Sequence, residues 1–157
     1  TRSVGSMTSH KFSHESNFGY VQKPIITAND CEGAGEMFQV TTLDLENLPK
    51  KDGKVDYSKD FFGKKVSLTV SGQLHEEAIT HAFGKTYTFG PTFRAENSNT
   101  SRHVAAFWMM EPEMCFCDLE ELIDNEEAMV QYVIAFVIDD CAAELAFLTK
   151  FVYPRLI

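Results

Sequence analysis

The stretch from Thr86 to Asp118, TYTFGPTFRAENSNTSRHVAAFWMMEPEMCFCD, constrains this chain more than any other. Two strand-like runs flank the polar loop Asn97-Ser98-Asn99-Thr100-Ser101, and so short a link suits antiparallel neighbours. Gly90-Pro91 reads as a turn after a strand at Thr86–Phe89. Side chains alternate along a strand, so Arg94 and Glu96 share one face, as do Phe107, Met109, Glu111 and Glu113 on the returning run. Paired as a hairpin, the runs bring together a guanidinium, carboxylates and an aromatic ring. That set suits an adenine nucleotide: the guanidinium clamps a phosphate, the ring offers its face to the base, and a carboxylate accepts from an exocyclic amine. The same alternation also describes the solvated face of a sheet. Glu113 reads as surface, and Glu111 with Glu113 fits a polar strand face as well as an acid/base pair. Trp108 and Met110 read as core, and Cys115 with Cys117 as small core residues on one strand face.

The flanking segments supply the remaining elements. Residues 1–14, TRSVGSMTSHKFSH, are polar and weakly periodic, either a frayed helix or an irregular arm. Phe18–Thr27 has strand character that Pro24 confines to an edge or bulge, and Ala28–Glu36, with two glycines among acids, reads as a loop. Met37–Thr42 is a short strand, Asp44–Asp60 a solvated excursion, and Val66–Ser71 a strand. Gln73–Phe83 spaces Leu74, Ala78, Ile79 and Ala82 as the apolar face of a short helix, whose His75 and His81 read as surface. Asp118 and Glu121 form a capping box before one long helix. Its Leu122, Met129, Val133, Val137, Cys141, Leu145 and Leu148 make a buried stripe, and Pro154 ends it. Strands in antiparallel order with irregularly placed helices, and no βαβ repeat, make the class α+β.

Composition sets the outer limits. A length of 157 residues with 44% hydrophobic side chains suits one compact domain with its own core. The four cysteines lack CxxC spacing, which argues against a zinc site or a disulfide framework and suits a reducing cytoplasm. A formal charge of −9 argues against a patch that grips nucleic acid by charge alone. The longest apolar stretch, Ala128–Ile138, is too short to cross a membrane, and no signal peptide is visible.

FRAENSNTSRH followed by FWMMEPE closely resembles motif 2 of the class II aminoacyl-tRNA synthetases, and its NSNTSRH loop is similar to that of the asparaginyl branch. PIITANDCEGAGEMF resembles that branch's motif 1 end and substrate-covering loop, VSLTVSGQL its amino-acid-binding strand, and TTLDLENLP the link between them. The likeness runs in order from about Asn17 to the end of the long helix.

The resemblance implies an antiparallel sheet flanked by helices, incomplete here, and a two-step ligase using ATP, L-asparagine and tRNA(Asn). Arg94 would stabilise the charge that develops at the α-phosphate. Glu96, Arg102 and His103 would hold bent ATP, and Phe107 would stack on adenine. Glu32 and Gln73 would bind the α-ammonium, Ser71 would line that pocket, and Glu111 would accept from the side-chain amide while repelling an aspartate carboxylate. Mg2+ ligands, motif 3 and the anticodon-binding OB domain are expected outside residues 1–157, so the chain reads as part of a longer enzyme, inactive alone. Ala106 stands where the family has an acid, and Glu76 where glycine is usual. The family's homodimer rests on a motif 1 helix that reads here as shortened before Asn17. The rival readings are an ammonia-dependent asparagine synthetase, whose aspartate substrate would want a cation at Glu111, and a non-catalytic binding module.

Overall fold

The computed structural model of the chain describes residues 1–31, 33, 35–98 and 100–156. In chain order the elements are α1 (Arg2–Glu15), β1 (Gly19–Tyr20), β2 (Ile26–Thr27), β3 (Gln39–Val40), β4 (Lys50–Lys51), β5 (Lys54–Val55), β6 (Val66–Leu68), α2 (Gln73–Phe83), β7 (Lys85–Phe93), β8 (Ala106–Met114), α3 (Leu119–Asp140) and α4 (Ala142–Phe151). The strands form three small sheets, ordered β1-β7-β8, β2-β6-β3 and β4-β5. Pairing is antiparallel throughout except for β1, which runs parallel to β7.

The β7–β8 hairpin is the spine. Its register runs from Lys85 opposite Met114 to Phe93 opposite Ala106, and the Arg94 amide extends it by donating to Ala105 O at 3.0 Å. Gly90 and Pro91 lie inside β7, opposite Met109 and Trp108, so the expected turn there does not form. The Phe93 amide donates to Thr69 O at 2.9 Å while that of Arg94 points to β8. Odd-numbered amides of β7 therefore point away from the hairpin, and proline at 91 forfeits none of its bonds. Trp108 is 54% exposed and packs edge-on against Phe89, not in the core as its pattern suggested. Cys115 and Cys117 fall beyond the end of β8 and are half-buried, so they share no strand face.

The polar N-terminal run is a helix. Thr8, Ser9 and Ser13 return hydrogen bonds to Val4, Gly5 and Ser9 carbonyls, which satisfies their hydroxyls locally. Thr8, Phe12 and Ser13 are buried, and His10 accepts or donates at Tyr87 Oη, 2.8 Å away. Phe12 also meets the ring of Tyr132 on α3.

Helix α2 has the expected ends but the opposite orientation. Leu74, Ala78 and Ala82 are exposed, whereas Glu76 and Thr80 are fully buried. The reason is the surface beneath it: buried Thr86 and Thr88 present hydroxyls, and Thr80 and Glu76 meet Thr86 Oγ1 at 2.5 and 3.2 Å. A polar sheet face selects the polar face of the helix.

The capping box forms, with Asp118 Oδ1 accepting from the Glu121 amide at 2.9 Å. The helix it starts breaks at Cys141, whose ψ of 27° ends α3 and opens α4. Only Cys141 and Leu145 of the expected stripe are buried; Leu122, Met129, Val133, Val137 and Leu148 are half-buried. Ile123, Val130, Ile134 and Ile138 lie exposed on a second apolar face. Within the excursion at 44–60, Asp52-Gly53 takes positive φ at both residues and turns β4 into β5. Asp60 ties its end to Thr41 and Thr42, and the Thr41 hydroxyl leads in holding its carboxyl below the usual range. Among the described residues no helix is long and apolar enough to cross a membrane.

Candidate functional site

Where β7 ends, the chain turns over its own hairpin. Arg94, Arg102, His103, Val104 and Phe107 line a cavity of about 180 Å³. The Arg94 guanidinium lies 5.4 Å from the centre of the Phe107 ring, a cation–π arrangement. Arg94 Nε, Glu96 Oε2 and His103 Nε2 are buried without a hydrogen-bond partner among the described residues. Orphaned polar atoms are costly, and these three, in neighbouring parts of one loop, have bonding capacity left for a polar ligand or water.

Beside this cavity the loop after β2 closes on the same residues. The Ala95 amide donates to Glu36 O at 2.7 Å and the Glu36 amide to Glu96 Oε1 at 3.2 Å. A Cβ on Gly35 would fall 2.6 Å from Glu96 Oε1 and 3.2 Å from Arg94 Cγ, so any larger residue would push those side chains aside. Asp30, Gly33, Gly35, Glu36, Met37 and Glu96 border a second, open cavity of about 510 Å³. Glu32 lies outside the described residues.

Glu111 projects from the same face of β8 as Phe107, about 13 Å further along at ~3.3 Å per residue. Ser71 Oγ and the Gly72 amide donate to its Oε1 at 2.5 and 3.0 Å, and the Lys23 ammonium pairs with its Oε2. Ser71 Oγ also accepts from the Gln73 amide at 3.2 Å, which fixes the start of α2 beside the carboxylate. Sequence reasoning gave Glu111 no protein partner and overlooked Lys23. The available signal was a lysine just before Pro24 in the strand-like run 18–27, a residue that burial tolerates only when paired.

Two further carboxyls crowd this end of the sheet. Burial first, then the charges of Glu77 and Glu111, push Glu113 above the usual carboxylate range, and it is half-buried where surface was expected. Glu76 is pushed up to about 8, by burial above all; Thr86 and Lys23 oppose the rise, and Glu113 and Glu111 add to it. The structure thus gathers the predicted residues into two clusters on one sheet face: Arg94, Arg102, His103 and Phe107 with Glu96 adjoining, and Ser71, Gln73 and Glu111 with Lys23 added. Among the described residues no group of three His, Cys, Asp or Glu side chains could hold a metal ion.

A family model for tRNA synthetases of class II (D, K and N) matches residues 1–156. Asparagine–tRNA ligases of Clostridium tetani and Clostridium beijerinckii are 59% and 58% identical over 152 and 157 residues, covering 96% and 99% of this chain. Those alignments take in 33% and 34% of the relatives, so the chain spans about a third of the length of the curated proteins it matches. Among solved structures, the asparaginyl-tRNA synthetase of Pyrococcus horikoshii complexed with asparaginyl-adenylate aligns with a TM-score of 0.76 and 25% identity. It covers 93% of this chain and 29% of its own. A putative aspartyl-tRNA synthetase of Leishmania major Friedlin, at 20% identity and a TM-score of 0.73 over 97% of this chain and 25% of its own, shares the fold.

Proposed function

Since the chain belongs to the class II tRNA synthetases of the D, K and N group, we propose that it is the part of an asparagine–tRNA ligase that binds ATP and L-asparagine. The reaction joins the asparagine carboxylate to the α-phosphate of ATP, releases pyrophosphate, and then passes the asparaginyl group to a hydroxyl of the terminal ribose of tRNA(Asn), releasing AMP. Arg94 steadies the charge that builds on the α-phosphate, and Arg102, His103 and Glu96 hold the nucleotide around it. Phe107 offers its ring to adenine, the guanidinium now lying over it moving to the phosphate. At the far end of the same face, Glu111 takes the side-chain amide, with Ser71 and Gln73 lining the pocket and Glu32 joining Gln73 at the α-ammonium. The ~13 Å of strand between Phe107 and Glu111 leaves room for the adenylate to lie along it. Positioning and electrostatics carry the rate of the activation step, because no proton acceptor is needed for a carboxylate nucleophile.

The observation that carries this reading is the trio of orphaned buried atoms, Arg94 Nε, Glu96 Oε2 and His103 Nε2, around an arginine-covered aromatic ring. The identity of 59% to a ligase of that name supports the amino acid chosen. Mg2+ joins ATP in the same proposal, with its ligands mainly outside residues 1–157. A homodimer, a cytoplasmic setting and the absence of the OB domain and motif 3 from residues 1–157 belong to the same proposal. The test is ATP–pyrophosphate exchange by the full-length protein that carries this chain: asparagine should drive it best, and a higher kcat/KM with another amino acid, or exchange with none, overturns the reading. One observation favours the asparagine synthetase alternative. A cation, Lys23, does stand at Glu111. Ammonia-dependent formation of asparagine from aspartate would decide for it.

A further inference from the structure

We infer that Lys23 determines how strongly the amino-acid pocket separates asparagine from aspartate, an inference that rests on the reading of Glu111 above. Lys23 and Glu111 pair with side chains only 3% and 10% exposed, so their charges are balanced by each other and not by water. The lysine is built into the fold. Its stem crosses Gly72 so closely that a Cβ there would lie 2.5 Å from Lys23 Cδ and 3.3 Å from its Cβ, and the Cε passes Gly90 at 3.8 Å from where a Cβ would stand. Two glycines on different elements thus form the slot that delivers the ammonium to Glu111 Oε2, while Ser71 and the Gly72 amide occupy Oε1.

The consequence for recognition follows from charge. A neutral amide feels the donor and acceptor pattern of Glu111 and little of its net charge. A substrate carboxylate feels both. A lone buried glutamate would repel aspartate strongly, whereas a glutamate already paired with lysine presents almost no net charge and a spare ammonium proton for an anionic ligand. Lys23 therefore moderates discrimination: with it the pocket tolerates aspartate better than Glu111 alone would allow.

The experiment compares the full-length wild-type protein with Lys23→Met and with Lys23→Met/Glu111→Gln. Each preparation is assayed for asparagine-driven and aspartate-driven exchange, with aspartate also scored by its Ki against asparagine. Because both amino acids are read on one preparation, their ratio is independent of the folded fraction. Lys23→Met should raise the asparagine-to-aspartate ratio by roughly tenfold or more, through a loss with aspartate. The double variant, which removes both charges, should return the ratio to wild type or below. A merely structural lysine would lower both activities together. If Lys23→Met yields no folded protein, Lys23→Gln carries the same expectation. A ratio within about twofold of wild type in the single variant overturns the inference while leaving the functional reading in place. Wild-type protein that activates neither amino acid overturns both.

Discussion

Glu76 should make the fold lose stability as pH rises through neutrality. Its side chain has no solvent contact, its Oε1 receives one bond from Thr86, and its Oε2 has no partner among the described residues. Burial, aided by Glu113 and Glu111, pushes its carboxyl from 4.5 up to about 8. In the folded state it therefore keeps a proton that the unfolded chain has already released. The contribution is complete below about pH 4.5 and is lost as pH climbs toward 8, the reverse of an ion-paired glutamate. At ~1.36 kcal/mol per pH unit, that interval amounts to at most about 5 kcal/mol, a large share of the ~5–15 kcal/mol that holds a domain together. Glu76→Gln keeps the shape and never ionises. Urea midpoints for wild type and variant at about pH 5.5 and about pH 8.5 give a double difference in which all other titrating groups cancel. The variant should match wild type within ~1 kcal/mol on the acid side and exceed it by ~2–4 kcal/mol on the alkaline side. Parallel pH dependences in the two proteins would refute the assignment of a neutral, buried carboxyl at Glu76.

Arg94→Ala should lower asparagine-dependent exchange by roughly a hundred- to a thousandfold, the usual loss for a group that meets transition-state charge, and exchange near wild type would remove Arg94 from the reaction. Phe107→Leu should raise the ATP KM about tenfold with asparagine's KM held within about twofold, since only the stacking face is lost; an unmoved ATP KM counts against stacking. Gly35→Ala should raise the ATP KM by about tenfold while changing the urea midpoint by less than ~1 kcal/mol equivalent, because the added methyl presses on Glu96 and Arg94 and on nothing in the core; unaltered kinetics would show that the loop can stand away from them.

Local chemistry was legible in the sequence, and mutual orientation was not. The ends of α2, the Asp118 cap and the partnership of the two runs around 97–101 follow from spacing and hydrogen-bonding capacity, which act within a few residues. The buried face of α2 was misread because apolar periodicity presumes an apolar neighbour, and here the neighbour is a row of threonines. The break at Cys141 leaves no trace of proline or glycine, and the parallel docking of β1 joins segments 67 residues apart. For the site, a strand's alternation was enough to put Phe107 and Glu111 on one face. For Lys23 the strand-like run signals a need for a partner but not its identity, because Glu111 is 88 residues away.

Helix α1 depends on α3. Phe12 rests on the ring of Tyr132, whose hydroxyl donates to Glu15 at 2.8 Å across 117 residues of chain. A ribosome adding about 5–20 residues per second leaves a gap of roughly 6–23 s between the making of α1 and the arrival of its support. A single helix of 14 residues with few good helix formers is marginal in water on its own. Nascent chains arrested before α3 emerges should accordingly be cut by protease within α1, and protection at that stage would contradict the dependence. The β7–β8 hairpin closes over a dozen residues and needs no such wait, so the first helix made is secured after a hairpin made later.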